Sequence, residues 1–258
     1  MANDVADYTL HLADNSLIMG HRLSEWTGHG PMLEQDIAIS NIALDLIGQS
    51  RNFYQYAAQL INTGNKLNNE ATEDSLAYLR DAHEFKNLLI TEISNGDWAN
   101  TILKLFFFST YQYYFYQKLM LSSDLQLAAI AEKSLKEVTY HLRWSSEWVI
   151  RLGDGTEESN KRMKSALEQL WPFTTEMFEP SGYEKVCEET GVGVDVSKIK
   201  SDWQKKVSEV LERATLSYPE DAELPLRTGG KTGTHSEELD FILREMQFLQ
   251  RTYPGCEW

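Results

Sequence analysis

Four long segments with helical character, separated by strong helix breakers, set the main limit on how this chain can fold. The segments cover about 5–26, 31–62, 98–121 and 124–152. Asp97 is placed to cap the third segment, and the alternating pattern typical of β-strands is essentially missing. The segments are joined by turns, by one longer polar excursion over 63–81 and by a shorter helical piece predicted near 84–93. The sequence therefore predicts an all-α fold with an antiparallel four-helix bundle at its centre.

The last third of the chain adds shorter helices to this bundle. Further helical segments are predicted at about 157–178, 200–215 and 236–251, with weaker signals within 179–198. No linker rich in proline or serine separates this part from the rest. We therefore expect a single domain over 1–258, with the bundle core at about 5–152 and the additional helices and tail at about 155–258.

Charge and cysteine content narrow the kinds of partner and compartment. The formal net charge is −15, and an acidic surface repels the phosphate backbone of nucleic acids. The most apolar stretch, 98–121, is too polar and too rich in tyrosine for a membrane span. Cys187 and Cys256 suggest no disulfide framework, and the N-terminus lacks the basic start of a signal peptide. We expect a cytoplasmic protein that binds neither nucleic acid nor membrane and that suits a partner with a positive face.

The chain lacks the motif that would make such a bundle a di-iron enzyme. A di-iron bundle takes one Glu from each of two helices and a Glu-x-x-His from each of the other two. None of the 6 histidines stands three residues after a Glu or Asp, and 98–123 contains no Asp, Glu, His or Cys. Aromatic residues fill the core positions there: Phe106, Phe107, Phe108, Tyr111, Tyr114 and Phe115. We therefore expect this chain to hold no metal, no cofactor and no catalytic residue.

Polar residues on the second helix stand where metal ligands would stand in a related enzyme. Asn41, Asp45, Gly48 and Asn52 repeat at helical spacing, in a segment so apolar that we expect it to be mostly buried. Asp45 and Gly48 occupy the Glu-x-x-His positions, but glycine offers no ligand. We expect Asp45 and Asn41 to join an internal hydrogen-bond network instead.

The fourth and first helices supply further candidates. Glu137 and His141 stand four residues apart, so both can lie on one face as a structural polar pair, with metal ligation as the alternative. Asp14 shares a helix face with Asp7 and His21, and its apolar neighbours predict that it points inward.

Lys104 is the single charge in the apolar first half of the third helix. An ammonium near Asp45 or Glu137 would neutralise a carboxylate and repel a metal dication. The alternative is a lysine whose ammonium reaches the surface. The candidates for a vestigial metal site are therefore Asp14, Asp45, Gly48, Lys104, Glu137 and His141.

A glycine-rich segment at 228–233 has a superficial likeness to a phosphate-binding loop. Gly230, Lys231 and Thr232 match the end of the Walker pattern, but Pro225 stands where its leading glycine should be and no strand precedes it. The sequence favours a tight loop that ends at Ser236 and rests on the bundle or on a partner. Arg227 and Lys231 are placed to contact acidic groups.

Several blocks resemble one family over nearly the whole chain. They are Asp14-Asn-Ser-Leu-Ile, Leu23-Ser-Glu-Trp-Thr-Gly-His, Asn41-Ile-Ala-Leu-Asp-Leu-Ile-Gly-Gln-Ser-Arg-Asn, Lys136-Glu-Val-Thr-Tyr-His-Leu-Arg-Trp-Ser, Arg227-Thr-Gly-Gly-Lys-Thr-Gly-Thr-His-Ser-Glu, and Glu245-Met-Gln-Phe-Leu-Gln-Arg with Pro254 and Trp258. In these blocks the chain resembles the C subunits of bacterial phenylacetyl-CoA epoxidases.

The resemblance implies a ferritin-like fold and a non-catalytic subunit that pairs with a catalytic, di-iron A subunit. It also implies a reductase subunit with flavin and an iron–sulfur centre, smaller subunits, and contact with phenylacetyl-CoA at the subunit interface. No metal or catalytic residue of that complex carries over to a position in this chain.

Two other functions remain open from the residues alone. One is a catalytically active carboxylate-bridged di-metal oxygenase that uses Asp14, Asp45, Glu137 and His141. The other is a stand-alone helical bundle that binds a small molecule.

Overall fold

The computed structural model describes residues 2–64, 70–219, 226–254 and 256, and the regular structure in these parts is entirely helical. The α-helices are α1 Ala2–Ser24, α2 Leu33–Gly64, α3 Glu73–Tyr78, α4 Leu89–Glu92, α5 Trp98–Leu119, α6 Leu125–Gly153, α7 Glu157–Leu170, α8 Gly182–Glu189, α9 Val196–Arg213, α10 Glu237–Met246 and α11 Phe248–Thr252. Short 3₁₀ turns lie at Ala82–Glu84, Trp171–Phe173, Thr175–Phe178 and Gly230–Thr232. None of the helices in the described ranges combines the length and apolar character needed to cross a bilayer.

The four long helices confirm the sequence prediction to within a few residues. Asp97 caps α5 as expected, because its carboxylate accepts a hydrogen bond from the amide of Asn100 at 3.0 Å. The fifth predicted helix is shorter than expected, since α7 ends at Leu170 and gives way to 3₁₀ turns. The polar excursion predicted at 63–81 lies partly outside the described residues.

The prediction of a helix near 84–93 is wrong over its first half, where 85–88 is non-helical. Side chains of α1 satisfy this segment's backbone. Asp14 accepts from the amide of Lys86 at 2.8 Å, and Asn15 accepts from the amide of Leu88 at 2.7 Å. The Lys86 carbonyl accepts from His11 at 2.6 Å. Because distant side chains take these groups, the segment does not need helical hydrogen bonds.

The helices gather into two compact units. The first contains Met1–Ser94, Ser181–Thr190 and Gly229–Trp258, and the second contains Asn95–Pro180 and Gly191–Thr228. Each unit therefore combines one long helical pair with short helices from the last third of the chain. A single domain over 1–258 stays a prediction.

In the first unit, α1 and α2 form an antiparallel pair. A Cβ on Gly20 would lie 3.1 Å from Ile47 Cγ1 and 3.3 Å from the carbonyl oxygen of Ala43. Earlier on α1, Asp14 meets Tyr54, which is further along α2. Glycine at position 20 thus permits the close approach of the two helices, and the run from Tyr8 to Gly20 is buried throughout.

The second unit is built on the antiparallel pair α5 and α6, with an aromatic core. Ring centroids of Phe107, Trp171 and Trp203 lie 5.6–5.9 Å apart, and the indole of Trp203 donates to the Phe107 carbonyl at 3.0 Å. The predicted core aromatics of α5 are buried, except for Tyr114, which is half-buried. Aromatic pairs of this kind stabilise a core beyond the area they bury.

Candidate functional site

Asp14 is the centre of a buried ion-pair network in the first unit. The hydroxyl of Tyr54 donates to its Oδ1 at 2.5 Å, and the amide of Lys86 donates to its Oδ2 at 2.8 Å. The guanidinium of Arg80 reaches both oxygens, through Nη1 to Oδ2 at 3.1 Å and through Nη2 to Oδ1. Burial, followed by the charge of Asp14, raises the pKa of Tyr54 well above its usual range, so the phenol stays a neutral donor. Four donors therefore saturate this inward-pointing carboxylate.

A second buried carboxylate, Glu184 on α8, pairs with the loop lysine Lys231. The ammonium nitrogen lies 3.1 Å from Oε1 and 3.0 Å from Oε2. Burial alone would raise the pKa of Glu184, but the charge of Lys231, together with hydrogen bonds from Lys231 and from the Ser181 amide, outweighs burial and lowers it. Burial lowers the pKa of His11, and its Nδ1 donates to the Lys86 carbonyl while its Nε2 accepts from Asn15 at 3.2 Å. His11 is thus a neutral imidazole beside an ionised pair.

The third buried carboxylate, Glu92 on α4, holds the start of α10. His235 Nδ1 lies 2.7 Å from its Oε2, and the amide of Ser236 donates to its Oε1 at 2.7 Å. The other imidazole nitrogen of His235 bonds the Phe85 carbonyl at 2.9 Å. Arg22 binds the backbone of the same residue, since its Nε and Nη2 donate to the Glu92 carbonyl at 2.9 and 2.7 Å.

The loop over 229–236, which we call the clasp loop, places Lys231 against Glu184 and His235 against Glu92. A Cβ on Gly230 would lie 2.2 Å from the Asn87 carbonyl oxygen, and one on Gly233 would lie 2.2 Å from the His83 carbonyl oxygen. Gly233 also has φ of 83°, which favours glycine. The prediction of a tight loop resting on the bundle is therefore confirmed, and Lys231 contacts an acidic group as expected. Ser236 stands at the N-cap position of α10, but its side chain makes no capping hydrogen bond there.

The predicted candidates on α2 face outward. Asn41 and Gly48 are exposed and Asp45 is half-buried. The expectations that this segment is mostly buried, and that Asn41 joins an internal hydrogen-bond network, are wrong. The physical reason is that only one side of α2 packs against α1, so its opposite side is left to solvent.

Two of the three candidates in the second unit are buried. On α6, His141 is buried and Glu137 is half-buried one turn before it. On α5, Lys104 is buried, and its ammonium donates to Asn95 Oδ1 at 3.2 Å. The alternative of a lysine reaching the surface is therefore wrong, while its pairing with Asp45 or Glu137 stays a prediction. Within the described residues, no three His, Cys, Asp or Glu side chains converge as a metal site would require.

An apolar stripe runs along the exposed side of α2. Leu33, Ile37 and Leu44 are 70%, 51% and 65% exposed. At 100° per residue they lie within about 40° of one another around the helix axis. Gly48 continues the same side, and a Cβ built there meets nothing within 4 Å. An exposed apolar stripe is a candidate interaction surface.

Comparison with known proteins places this sequence in a family. The sequence model described as "Phenylacetic acid catabolic protein" matches residues 1–258. The chain belongs to the phenylacetic acid catabolic protein family. One relative, the C subunit of the 1,2-phenylacetyl-CoA epoxidase of Escherichia coli (strain K12), is 44% identical over 256 residues, which is 99% of this chain and 100% of the relative. The resemblance inferred from the sequence blocks is therefore confirmed.

Membership of the phenylacetic acid catabolic family agrees with the observed helices. The predicted all-α class is confirmed, and a ferritin-like bundle is consistent with the family. Sequence reasoning missed Arg80, Glu92, Glu184 and His235 as members of the buried network. Only Glu184 carried a local signal, because Ser181-x-x-Glu184 is a capping box. That signal gives no hint of the lysine 47 residues away.

Proposed function

We propose that this chain is the non-catalytic structural subunit of a multicomponent phenylacetyl-CoA epoxidase. It pairs with a catalytic di-iron A subunit and stabilises it, in the cytoplasm, during aerobic phenylacetate degradation. The full-length similarity to the C subunit of such an enzyme supports this role. A reductase subunit with flavin and an iron–sulfur centre supplies electrons, and the chain contacts phenylacetyl-CoA where it meets the A subunit.

The observation that carries the non-catalytic role is the pairing of buried carboxylates in the first unit. Asp14, Glu92 and Glu184 face Arg80, His235 and Lys231, respectively. A carboxylate-bridged metal pair needs ionised carboxylates that are free to bind dications. Here a metal ion would first have to displace a buried protein cation, which is costly because the cation would lose its charge partner in that pair.

The apolar stripe of α2 supports the pairing with the A subunit. Covering the exposed parts of Leu33, Ile37 and Leu44 contributes about 1–2 kcal/mol for each side chain. Gly48 lets a partner helix approach closely, although glycine inside a helix costs about 1 kcal/mol relative to alanine. The formal net charge of −15 further favours a partner with a positive face. In the assembled enzyme we expect a large interface, on the order of 2,000 Å² or more.

Co-purification of the two polypeptides tests the pairing. A tagged A subunit should retain this chain, and Leu44→Glu should weaken the complex at least about tenfold because it buries a charge in an apolar contact. Leu125→Glu is a matched control, since Leu125 is also an exposed leucine but belongs to α6. Equal retention of both variants would show that the α2 stripe is not the interface. If the tagged A subunit did not retain the wild-type chain, the proposed function itself would be overturned.

A further inference from the structure

A groove of about 190 Å³ lies between α2 and α3 in the first unit, with one lining residue from α1. Buried residues form its floor, namely Leu17, Ser50, Tyr54 and Ala77. Half-buried and exposed residues form its rim, namely Ile47, Arg51, Glu73, Asp74 and Tyr78. The floor is therefore mainly apolar, and the charged groups stand at the rim.

Ser50 is the member of the floor whose polar group lacks a hydrogen bond. It is 1% exposed, and its hydroxyl oxygen has no hydrogen-bond partner among the described residues. A serine inside a helix can bond the carbonyl four residues before it, as Ser16 and Ser145 do at 3.1 and 2.7 Å. A buried hydroxyl without a partner lowers stability, and a ligand that supplies the partner recovers this loss.

The charges at the rim are paired or exposed to solvent. Arg51 Nε lies 3.4 Å from Glu73 Oε1, which also accepts from Gln55 Nε2 at 3.0 Å. Asp74 is exposed. A charged ligand group would lose its hydration against the apolar floor without gaining a buried counter-charge. The groove therefore favours a neutral ligand.

The volume of the groove limits the apolar part of that ligand to about one ring. A cavity of about 150 Å³ with apolar walls accommodates benzene. A groove of about 190 Å³ thus has room for one ring and one small polar substituent. Leu17 and Ala77 supply apolar contact on the floor, and Tyr54 supplies an aromatic ring.

We propose that this groove, the α2–α3 groove, binds a small neutral molecule with one ring-sized apolar part and one hydroxyl group. The ring lies on the floor, and the hydroxyl group exchanges a hydrogen bond with Ser50. Tyr78 offers a second hydroxyl at the rim. Burial, followed by the charge of Asp74, raises the pKa of Tyr78, so this group stays neutral as well. Such a site goes beyond the structural role proposed above, because pairing with an A subunit does not require it.

Titration of the full chain alone, followed by NMR of the backbone amides, tests the site with phenol as the probe. Phenol should shift amides of α2 and α3 around Ser50 and Ala77. It should bind about two- to tenfold more tightly than toluene, which is the gain that one neutral hydrogen bond supplies. Benzylamine and benzoate, which are charged at neutral pH, should bind no more tightly than phenol. A chain that does not bind phenol, or that prefers a charged analogue, would overturn the proposal.

Ser50→Ala separates the hydroxyl from the rest of the groove. This variant loses a buried group without a partner, so its midpoint of thermal unfolding should equal or exceed that of the wild type. It should bind toluene as the wild type does, and phenol no more tightly than toluene. Ser134→Ala is the matched control, because Ser134 on α6 is also buried and its hydroxyl also has no partner within the described ranges. The control should keep the wild-type preference for phenol, and a Ser50→Ala chain that keeps this preference contradicts the proposal.

Discussion

Lys231 and Glu184 form a buried ion pair that ties the clasp loop to α8 across 47 residues of sequence. The ammonium lies at nearly equal distances from the two carboxylate oxygens, 3.1 and 3.0 Å. Neither side chain has more than 4% of its surface exposed, so each charge depends on the other for solvation. His235 in the same loop bonds Glu92, so the clasp loop also joins the start of α10 to α4.

Removing the loop cation should destabilise the fold strongly. Lys231→Met leaves Glu184 buried without its main counter-charge, and we expect a loss of about 3–5 kcal/mol in the free energy of unfolding. Urea unfolding measures this loss. Lys206→Met is the matched control, because Lys206 pairs with Glu209 in a solvent-accessible position. That control should lose no more than about 1 kcal/mol, and equal losses would contradict the structural role of the clasp pair.

The carboxylate of Asp14 should matter for stability and not for metal. Asp14→Asn keeps the shape but removes the charge that faces buried Arg80, so the free energy of unfolding should fall by about 3–5 kcal/mol. Asp7→Asn is the control, since Asp7 is a partly exposed partner of Lys86 at 3.5 Å and is worth at most about 1 kcal/mol. If Asp14→Asn were as stable as the wild type, Asp14 would not be the structural anchor described.

His235 should make the stability of the first unit depend on pH. Burial alone would lower the pKa of His235, but the hydrogen bond and charge of Glu92 outweigh it, and the pKa is raised above 6.5. A raised folded-state pKa gives stability that is fully present below the unfolded-state value and is lost as pH rises through the folded-state value. We therefore expect the contribution of His235 to disappear progressively above pH 6.5.

The comparison with His235→Gln isolates that contribution. Burial lowers the pKa of His11 and of His21, so these groups oppose folding as pH falls below 6.5, in wild type and variant alike. The difference in unfolding free energy between the two chains should shrink as the pH is raised. A difference that stays constant, or grows, would mean that His235 is neutral in the clasp.

Two glycines should respond in opposite ways to alanine. Gly230→Ala puts a Cβ against the Asn87 carbonyl, and we expect a loss of about 1–3 kcal/mol because backbone must shift. Gly48→Ala adds a Cβ in open space within a helix and should stabilise the isolated chain by about 1 kcal/mol. Thermal unfolding of both variants measures these effects. A stabilised Gly230→Ala chain would disprove the close packing of the clasp loop.

The sequence predicted the long helices because their signals are local. Breakers, caps such as Asp97 and helical periodicity act over a few residues, and the helix ends that they predict agree with the structure to within a few residues. The non-helical segment 85–88 was not predictable in this way, since the side chains that satisfy it come from α1, more than 70 residues earlier. Long-range hydrogen bonds leave no periodic trace in the sequence.

The polar network shows the same limit. Sequence reasoning placed Asp14 inward, which is correct, but it did not identify Arg80 as the partner because an arginine near a turn looks like any surface cation. It also placed Asn41 in the interior, since periodicity alone does not say which side of an apolar helix remains exposed. The resemblance of the sequence blocks supplied what helical periodicity could not, namely the family to which the chain belongs.

Iron content is the most direct test of the claim that this chain is a non-catalytic subunit. The purified chain should be loaded with ferrous iron, desalted and analysed for metal, alone and in complex with the A subunit. We predict almost no iron in the isolated chain, and in the complex about two iron atoms for each A subunit, as in a di-iron bundle. About two iron atoms bound to the isolated chain, together with ring oxidation of phenylacetyl-CoA in the absence of the A subunit, would contradict it.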